Sequence, residues 1–391
     1  HNPVRSKNFR NKNIAFYAAD FFLSALNMIR NKIRFEFFFQ LASKSPNFVF
    51  WRQNQSLKFF YRGLSVNFDF HNLKIIANYM KTCYNASMPI RIDSDLPARS
   101  TLENENIFVM TEERAVSQDI RPLKIAIVNL MPTKEVTETQ LLRLLSNTPL
   151  QIDISLVQMK GHISKNTDKN HLEKFYMSSE EIFSRKFDGM IITGAPVEQI
   201  PFEQVDYWNE LCKIMDYAKK NVFCTLYICW GAMAGLYYLH GINKHIVEKK
   251  YSGIFYSKLL DSKEPLMRGF DDYFPVPTSR YTKILTEDIA SNEKLSLLAY
   301  SETTGVTLAK SKDNRSIFMT GHLEYDPETL AEEYKRDLKK GINPSMPENY
   351  FTDNDPSKPI FSKWRSTAHL FYSNWLNYYV YQETPYRFTG V

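Results

Sequence analysis

The chain has 391 residues, of which 43% are hydrophobic and 24% charged, a composition that indicates a globular protein with a large buried core. Its net charge of +6 comes from the first 87 residues, which contain 13 Lys and Arg but only 3 Asp and Glu. The remaining residues contain 36 Lys and Arg and 40 Asp and Glu, so the main body of the chain lacks the basic surface of a nucleic-acid-binding protein. The four cysteines show neither a paired framework nor metal-ligand spacing, and no stretch reaches the ~20 apolar residues that span a bilayer, so we expect a cytoplasmic protein without a metal centre or a membrane span.

Residues 1–87 differ in character from the rest of the chain. They are rich in Phe, Asn, Lys, Ile and Tyr and show no sustained helical or strand period. From Met88 onward, the sequence shows recognisable patterns of strands, helices and helix caps. We therefore expect residues 1–87 to be an N-terminal extension that is disordered or not natively translated, with translation beginning at Met88, and residues 88–391 to form a single domain.

Strands and helices alternate in the first part of this domain. Residues 123–130 are typical of a buried strand, and residues 135–146 follow as a helix with Leu141, Leu142 and Leu145 on one face. The alternation continues with predicted strands at 151–158, 189–193 and 222–228 and predicted helices at 178–184, 203–219 and 231–240. This pattern predicts an α/β fold in which helices cover both faces of a parallel sheet.

The last third of the chain contains shorter segments. They predict strands at 295–300, 306–308 and 316–320, a helix from Pro327 and an aromatic C-terminal helix over 368–381. In open sheets of this class, ligands bind beyond the carboxyl ends of the strands. Residues at the strand ends are therefore the best candidates for a functional site.

The most informative strand end is Cys229. It follows the hydrophobic strand 222–228 and leads directly into a helix that opens with Trp230 and Gly231. The partial positive charge of a helix N-terminus favours a thiolate, and small residues permit a tight turn, so a cysteine at this elbow is suited to be a nucleophile. The alternative is a buried, inert thiol, which is what we expect of Cys224 within the strand.

A second strand end supplies His322 and Glu324. A thiolate nucleophile needs an imidazole to move protons, and a carboxylate two residues away can orient that imidazole. Taken alone, His322 also fits a structural histidine. A cysteine elbow with His-x-Glu is shared by class I glutamine amidotransferases, so these three residues indicate the type of reaction rather than the substrate.

Six motifs, in chain order, resemble the homoserine O-acyltransferase family of methionine biosynthesis. They are residues 129–134 (NLMPTK), 192–198 (ITGAPVE), 228–230 (ICW), 277–281 (PTSRY), 320–326 (TGHLEYD) and 374–378 (NWLNY), and the match runs nearly from Met88 to the C-terminus. The resemblance implies a flavodoxin-like three-layer sandwich, with a mostly parallel sheet, related to the class I glutamine amidotransferases. It also implies L-homoserine and an acyl-CoA as substrates, no cofactor beyond that co-substrate, and a homodimer.

The same resemblance implies roles for individual residues. Cys229 would be the nucleophile that carries the acyl group, His322 the base and Glu324 the third member of the trio.

Other residues are expected to bind the acceptor and to stabilise the oxyanion. Lys250, Ser279 and Arg336 match positions that contact the amino-acid substrate, with Arg336 as the clamp for its carboxylate. We expect the Trp230 backbone N–H and the loop that holds Lys134 to stabilise the tetrahedral oxyanion. From the residues alone, Lys134 and Arg336 each also fit a solvated surface position.

Glu198 bears on the choice of acyl donor, because the family's succinyl users resemble this sequence but have glycine at that position. A succinyl group would bring a second carboxylate into the acyl pocket, and two like charges about 4 Å apart repel by roughly 4 kcal/mol at an effective dielectric near 20. Glu198 therefore indicates acetyl-CoA. The alternative is a glutamate at the pocket rim that never meets the acyl group.

The sequence departs from the family pattern around both strand ends. Leu323 stands where relatives usually have proline, and Gly231 and Met233 stand where they usually have alanine and glutamine. These changes bear on rate more than on reaction type. Three interpretations stay open beside acetyl transfer: a homoserine O-succinyltransferase, a class I glutamine-amidotransferase-like cysteine hydrolase, and a flavodoxin-like binding module whose cysteine is structural.

Overall fold

The computed structural model describes residues 48–53, 56–61, 64–69, 90–93, 95–105, 122–161 and 166–384. The chain divides into two units, residues 1–86 and 87–391. In the first unit, strands β1 (Phe48–Gln53), β2 (Ser56–Tyr61) and β3 (Leu64–Asp69) form an antiparallel sheet. Most of the extension predicted for residues 1–87 lies outside the described residues, and its absence from the native protein stays a prediction.

The second unit contains one large sheet with its helices. Its strands are β4 (Ile90–Arg91), β5 (Leu123–Val128), β6 (Ile152–Gln158), β7 (Tyr176–Ser178), β8 (Phe187–Ile192), β9 (Val222–Ile228), β10 (His245–Leu259), β11 (Tyr273–Lys283), β12 (Leu295–Ser301), β13 (Gly305–Ser311) and β14 (Ser316–Met319). Its helices are α1 (Ala98–Asn104), α2 (Lys134–Leu145), α3 (Lys169–Phe175), α4 (Ser179–Ile182), α5 (Trp208–Asn221), α6 (Trp230–His240), α7 (Thr286–Ala290), α8 (Thr329–Lys339) and α9 (Arg365–Asn374), the last continued by a π-helical segment, Trp375–Tyr381.

The sheet is mostly parallel and has an antiparallel edge. Its strand order is β11-β10-β12-β13-β14-β9-β8-β5-β6-β4, with β7 also pairing with β6. Pairing is parallel from β14 through β9, β8, β5 and β6 to β4, and antiparallel from β11 to β14. The predicted mostly parallel α/β sheet is confirmed.

Two apolar layers cover the two faces of this sheet. On one face, Ile125 and Ile127 of β5 share a buried cluster with Leu141 of α2 and Phe371 of α9. On the other face, Val128 belongs to a second cluster with residues of α5 and α6. The alternation of side chains along a strand explains why one strand feeds both layers. The predicted three-layer sandwich is therefore confirmed.

The antiparallel edge is where the sequence predictions were incomplete. The strands β10 and β11 were not predicted: β10 is largely exposed over its first half, and β11 carries Pro275 and Pro277, which are usually confined to edge strands. Helix α3 was also missed. Among the predicted helices, the one expected from residue 203 begins only at Trp208, because Pro201 opens a single 3-10 turn first, and the one expected at 178–184 is only four residues long.

The helix that follows Cys229 is enclosed on all sides. All seven residues from Trp230 to Leu236 are buried, so α6 is a central helix and lacks a polar face in its first two turns. Within the described ranges, no helix is both long and apolar enough to cross a bilayer.

Candidate active site

Strand pairing brings the two strand ends singled out above to the same place. In the parallel pair of β9 and β14, Ile228 lies opposite Met319. The backbone N–H of Cys229 donates to the carbonyl oxygen of Met319 at 2.7 Å. Cys229 and the segment leading to His322 are therefore adjacent, although about ninety residues separate them along the chain.

Cys229 adopts a strained backbone conformation. Its φ is 50° and its ψ is −114°, a combination that residues with a side chain rarely adopt. The helix α6 begins at the next residue, as the elbow predicted. A Cβ on Gly231 would lie 2.6 Å from the carbonyl oxygen of Thr193 and 2.8 Å from that of Ile192, so the absence of a side chain lets the helix start press against the end of β8.

His322 and Glu324 form a buried, hydrogen-bonded pair. The Nδ1 of His322 lies 2.6 Å from Oε1 of Glu324, and both side chains are almost fully enclosed. Burial by itself lowers the pKa of His322, but the negative charges at Cys229 and Glu324 and the hydrogen bonds to both outweigh it and raise that pKa well above its usual range. Since Nδ1 faces Glu324, Nε2 is the nitrogen available to Cys229.

Gly194 borders this pair and was not predicted as a site residue. A Cβ on Gly194 would lie 3.2 Å from the Cβ of Cys229 and 3.4 Å from Cε1 of His322. Gly194 lies two residues beyond the end of β8, and its backbone is close to both Cys229 and His322. The motif at 192–198 contained this signal, because a glycine at a strand end permits a close approach of backbone.

Lys134 is buried rather than solvated, which rules out the surface alternative. Its Nζ donates to the backbone carbonyl oxygens of Asn129 and Met131 at the end of β5. Burial lowers its pKa to about 8, with the charge of Glu138 acting in the opposite direction. The other predicted oxyanion donor, Trp230, is the first residue of α6, where backbone N–H groups lack partners within the helix.

The predicted substrate residues are connected through two carboxylates of α8. Ser279 on β11 donates a hydrogen bond to Oε2 of Glu333, and Nζ of Lys250 on β10 lies 3.5 Å from the same oxygen. Arg336, on α8, is 53% exposed and pairs with Asp337 at 2.9 Å, while the other oxygen of Asp337 lies 3.8 Å from Nζ of Lys250. The structure therefore brings Lys250 and Ser279 together directly and links Arg336 to Lys250 through Asp337.

Glu333 connects this cluster to the histidine. The hydroxyl of Tyr325 donates to Oε1 of Glu333 at 3.1 Å, and the Tyr325 ring stacks on the His322 ring with centroids 4.1 Å apart. A cleft lined by Lys250, Glu333 and Asp337 opens beside it. Sequence reasoning missed Glu333 because it stands in a run of charged residues on α8 that is typical of an exposed helix face.

Glu198 lies in the segment after β8, and its charge acts on two cations. One is Lys244, which donates to the carbonyl oxygen of Ile200 at 2.6 Å; burial lowers its pKa to about 8, and Glu198 opposes that shift. The other is Arg280, on which Cys229 also acts. Glu198 and Cys229 thus both act on the charge of Arg280.

The candidate active site thus combines a mostly parallel α/β sheet with a strained cysteine elbow beside a buried His–Glu pair. Comparisons with known proteins are more specific. The family model described as homoserine O-succinyltransferase matches residues 89–386. The chain belongs to this family, which confirms the sequence prediction that it is an acyltransferase of the homoserine O-acyltransferase family.

Curated relatives cover the same region almost end to end. A homoserine O-acetyltransferase of Methanomethylophilus alvi is 56% identical over 299 residues, which are 76% of this chain and 97% of the relative. One of Petrotoga mobilis is 57% identical over 304 residues, covering 78% of this chain and 98% of the relative. One of Geobacillus sp. is 58% identical over 299 residues, covering 76% and 99%.

Similar solved structures are more distant. A glutamine amidotransferase of Thermotoga maritima is 12% identical with a TM-score of 0.41, covering 66% of this chain and 98% of its own. A glutamine amidotransferase of Methylobacillus flagellatus is 10% identical with a TM-score of 0.40, covering 66% and 95%.

Proposed function

We propose that the chain transfers an acetyl group from acetyl-CoA to the γ-hydroxyl of L-homoserine, giving O-acetyl-L-homoserine and CoA in methionine biosynthesis. The reaction is ping-pong and passes through an acyl-enzyme on Cys229. The observation that carries the proposal is the strained elbow that holds Cys229 beside the imidazole of His322, in a chain of this family. No cofactor takes part, since the acyl-CoA is a co-substrate.

In the first half-reaction, the thiolate of Cys229 attacks the thioester carbon of acetyl-CoA. The C–S bond to CoA breaks, and the imidazolium of His322 gives its proton to the departing CoA thiolate. The raised pKa of His322 supports this starting state, because it keeps the imidazole protonated beside a charged sulfur. The Trp230 backbone N–H and the loop of Lys134 are the proposed donors to the tetrahedral oxyanion.

In the second half-reaction, the same histidine acts as a base. Once Cys229 carries an acetyl group its sulfur is uncharged, so the largest effect that raises the pKa of His322 is gone and burial favours the neutral imidazole. Neutral His322 then takes the proton of the homoserine hydroxyl, whose oxygen attacks the acetyl carbon. The C–S bond to Cys229 breaks, which restores the thiolate and the imidazolium.

The acceptor is a zwitterion, and the cluster around Glu333 offers both charges that it needs. The carboxylate of Glu333 suits the ammonium group, and Lys250 and Ser279 suit the carboxylate. For Arg336 to clamp the same carboxylate, its guanidinium would exchange its ion pair with Asp337 for one with the substrate.

The cycle described above predicts that the charge of His322 follows the state of Cys229. Acetylating Cys229, or replacing it by serine, should lower the pKa of His322, because the negative sulfur no longer opposes burial. Nitrogen NMR of histidine-labelled protein would follow this titration. His240, whose pKa burial already lowers, is the internal control and should keep its profile; a His322 titration that is the same in both forms would contradict the cycle.

Glu198 sets the donor preference in this proposal. Glu198→Gly should raise the use of succinyl-CoA relative to acetyl-CoA by at least about tenfold, because a repulsion of ~1.4 kcal/mol already amounts to that factor. Steady-state rates with the two donors measure the ratio. Glu203→Gly, which removes a nearby carboxylate that also acts on Lys244, is the matched control and should leave the ratio unchanged. An unchanged ratio in Glu198→Gly removes this residue from the acyl pocket.

The test of the function as a whole is a three-substrate comparison. The protein is incubated with acetyl-CoA, succinyl-CoA or glutamine, each with and without L-homoserine, while free CoA thiol and ammonia are followed. Homoserine-dependent CoA release from acetyl-CoA supports the proposal. Preference for succinyl-CoA would favour the activity named in the family description. Ammonia from glutamine would replace the proposal with a glutamine hydrolase.

We further propose that the chain acts in the cytoplasm as a homodimer, with no nucleic-acid or membrane partner. The family resemblance supports the dimer. The absence of a paired cysteine framework supports a reducing compartment. Light scattering of the purified full chain tests the dimer.

A further inference from the structure

Arg280 carries a positive charge in the interior of the protein. It lies on β11, one residue after Ser279, and only 1% of it is exposed. Its Nε donates to the carbonyl oxygen of Thr320 at 3.3 Å, and one Nη donates to that of Thr304 at 3.1 Å and to Oγ1 of Thr320 at 3.3 Å. The other Nη donates to the carbonyl oxygen of Thr282.

All these acceptors are uncharged. In the described part of the chain, Arg280 forms no ion pair with an aspartate or a glutamate, and its contact with a ring is to Tyr251, at 5.7 Å from the centroid. Burying a cation without a negative partner costs several kcal/mol, and a negative charge that forms nearby would offset part of that cost. Burial lowers the pKa of Arg280 to about 10, which still leaves it charged at neutral pH.

The nearby negative charge is at Cys229. The groups whose charges act on Arg280 are Cys229, Tyr251 and Glu198, and Cys229 has the largest effect of the three. Hydrogen bonds also link Arg280 to Cys229 through the backbone. Arg280 holds Thr320, whose preceding residue, Met319, accepts the N–H of Cys229.

The guanidinium of Arg280 balances the net charge of the resting site. With a thiolate at Cys229, an imidazolium at His322 and a carboxylate at Glu324, the trio has one net negative charge in a buried place. Arg280 brings the sum to zero. The cation thus compensates the enclosed negative charge in the state that attacks the acyl donor.

We propose that Arg280 is a positioning residue, whose buried positive charge favours the thiolate of Cys229 and whose hydrogen bonds hold the strand end that carries His322. This inference rests on Cys229 being the nucleophile in the proposed function, but it concerns the sulfur before any acyl donor binds. Reactivity of the thiol can therefore be tested separately from acyl transfer.

The experiment is the pH profile of alkylation of Cys229 by iodoacetamide in the full chain, followed by mass spectrometry of the peptide that contains it. Arg280→Gln removes the charge and keeps hydrogen-bond donors; Arg280→Lys keeps the charge. We expect Arg280→Gln to move the midpoint of the profile up by about one pH unit, which lowers the alkylation rate about tenfold at pH values below both midpoints. Arg280→Lys should stay within about a factor of three of the wild type.

A control variant is provided at the opposite end of β9. Arg315 donates to the carbonyl oxygen of Val222, so Arg315→Gln removes a similar cation bound to a backbone oxygen but distant along the strand from Cys229. It should leave the profile unchanged.

The outcomes separate a charge effect from a purely structural one. Equal shifts in Arg280→Gln and Arg280→Lys, or a wild-type profile in a folded Arg280→Gln, would overturn the proposal. If Arg280→Gln does not fold, Arg280→Lys decides alone, since an upward shift of one unit with the charge retained would also overturn it. A protein that shows the expected alkylation profiles but no acetyl transfer would defeat the proposed function and leave the role of Arg280 intact.

Discussion

Replacing Cys229 by serine is expected to abolish acyl transfer, with a loss in rate on the order of 10³-fold or more. The strained elbow and the buried imidazole activate a thiol, whereas a serine hydroxyl at the same place stays protonated and cannot form the thiolate–imidazolium pair. Release of CoA thiol in the presence of homoserine measures the rate. Intact mass after exposure to acetyl-CoA alone should show one acetyl group on the wild type and none on the variant.

Cys212→Ser is the matched control for this experiment. Cys212 lies half-buried on α5, and burial raises the pKa of its thiol to about 11. Its replacement should leave the rate and the adduct unchanged. An acetyl adduct that persists in Cys229→Ser at wild-type yield would place the acyl group on another residue and end the proposed mechanism.

Replacing His322 by glutamine is expected to lower kcat by about 10²- to 10⁴-fold, the usual range for losing a general acid–base group. In the proposed mechanism, both half-reactions need this imidazole, first as the acid toward CoA and then as the base toward homoserine. Glu324→Gln should have a smaller effect, because a glutamine oxygen can still accept the hydrogen bond from Nδ1 while the charge that stabilises the imidazolium is lost. Steady-state rates with acetyl-CoA and homoserine give both values.

His245→Gln provides the comparison for His322. His245 is an exposed residue at the start of β10 and pairs with Asp288 at 3.3 Å, so its replacement should not change kcat. Circular dichroism confirms that each variant is folded. A folded His322→Gln that keeps more than about a tenth of the wild-type kcat would remove the histidine from the acid–base role.

The parallel half of the sheet could be predicted because its strands are buried on both faces. Strands β5, β8 and β9 are nearly continuous hydrophobic runs, and each leads to a polar or small residue at its carboxyl end. Those two features suffice to place Cys229 and the residues after β14 at one edge of the sheet. The proximity of Cys229 to His322 and Glu324 could therefore be predicted from local patterns together with a general rule of sheet topology.

The acceptor side of the site was not accessible in the same way. The strands β10 and β11 alternate buried and exposed residues or contain prolines, and neither pattern distinguishes an edge strand from a loop. Lys134 is buried and Glu333 half-buried, and the contacts that enclose these charged residues come from distant segments of the chain. A sequence pattern records the periodicity of its own element, so it does not contain such long-range enclosure.

His322 is attached to the antiparallel edge of the sheet, and this attachment affects any attempt to change the specificity for the acceptor. Its backbone N–H donates to the carbonyl oxygen of Pro277 at 2.8 Å, only two residues from Ser279 on the same strand. In the proposed function, the hairpin of β10 and β11 would therefore both bind the incoming amino alcohol and anchor the histidine that removes its proton. Engineering this hairpin for a bulkier alcohol should then change turnover together with selectivity, whereas redesign around Glu198 should leave that anchor unchanged.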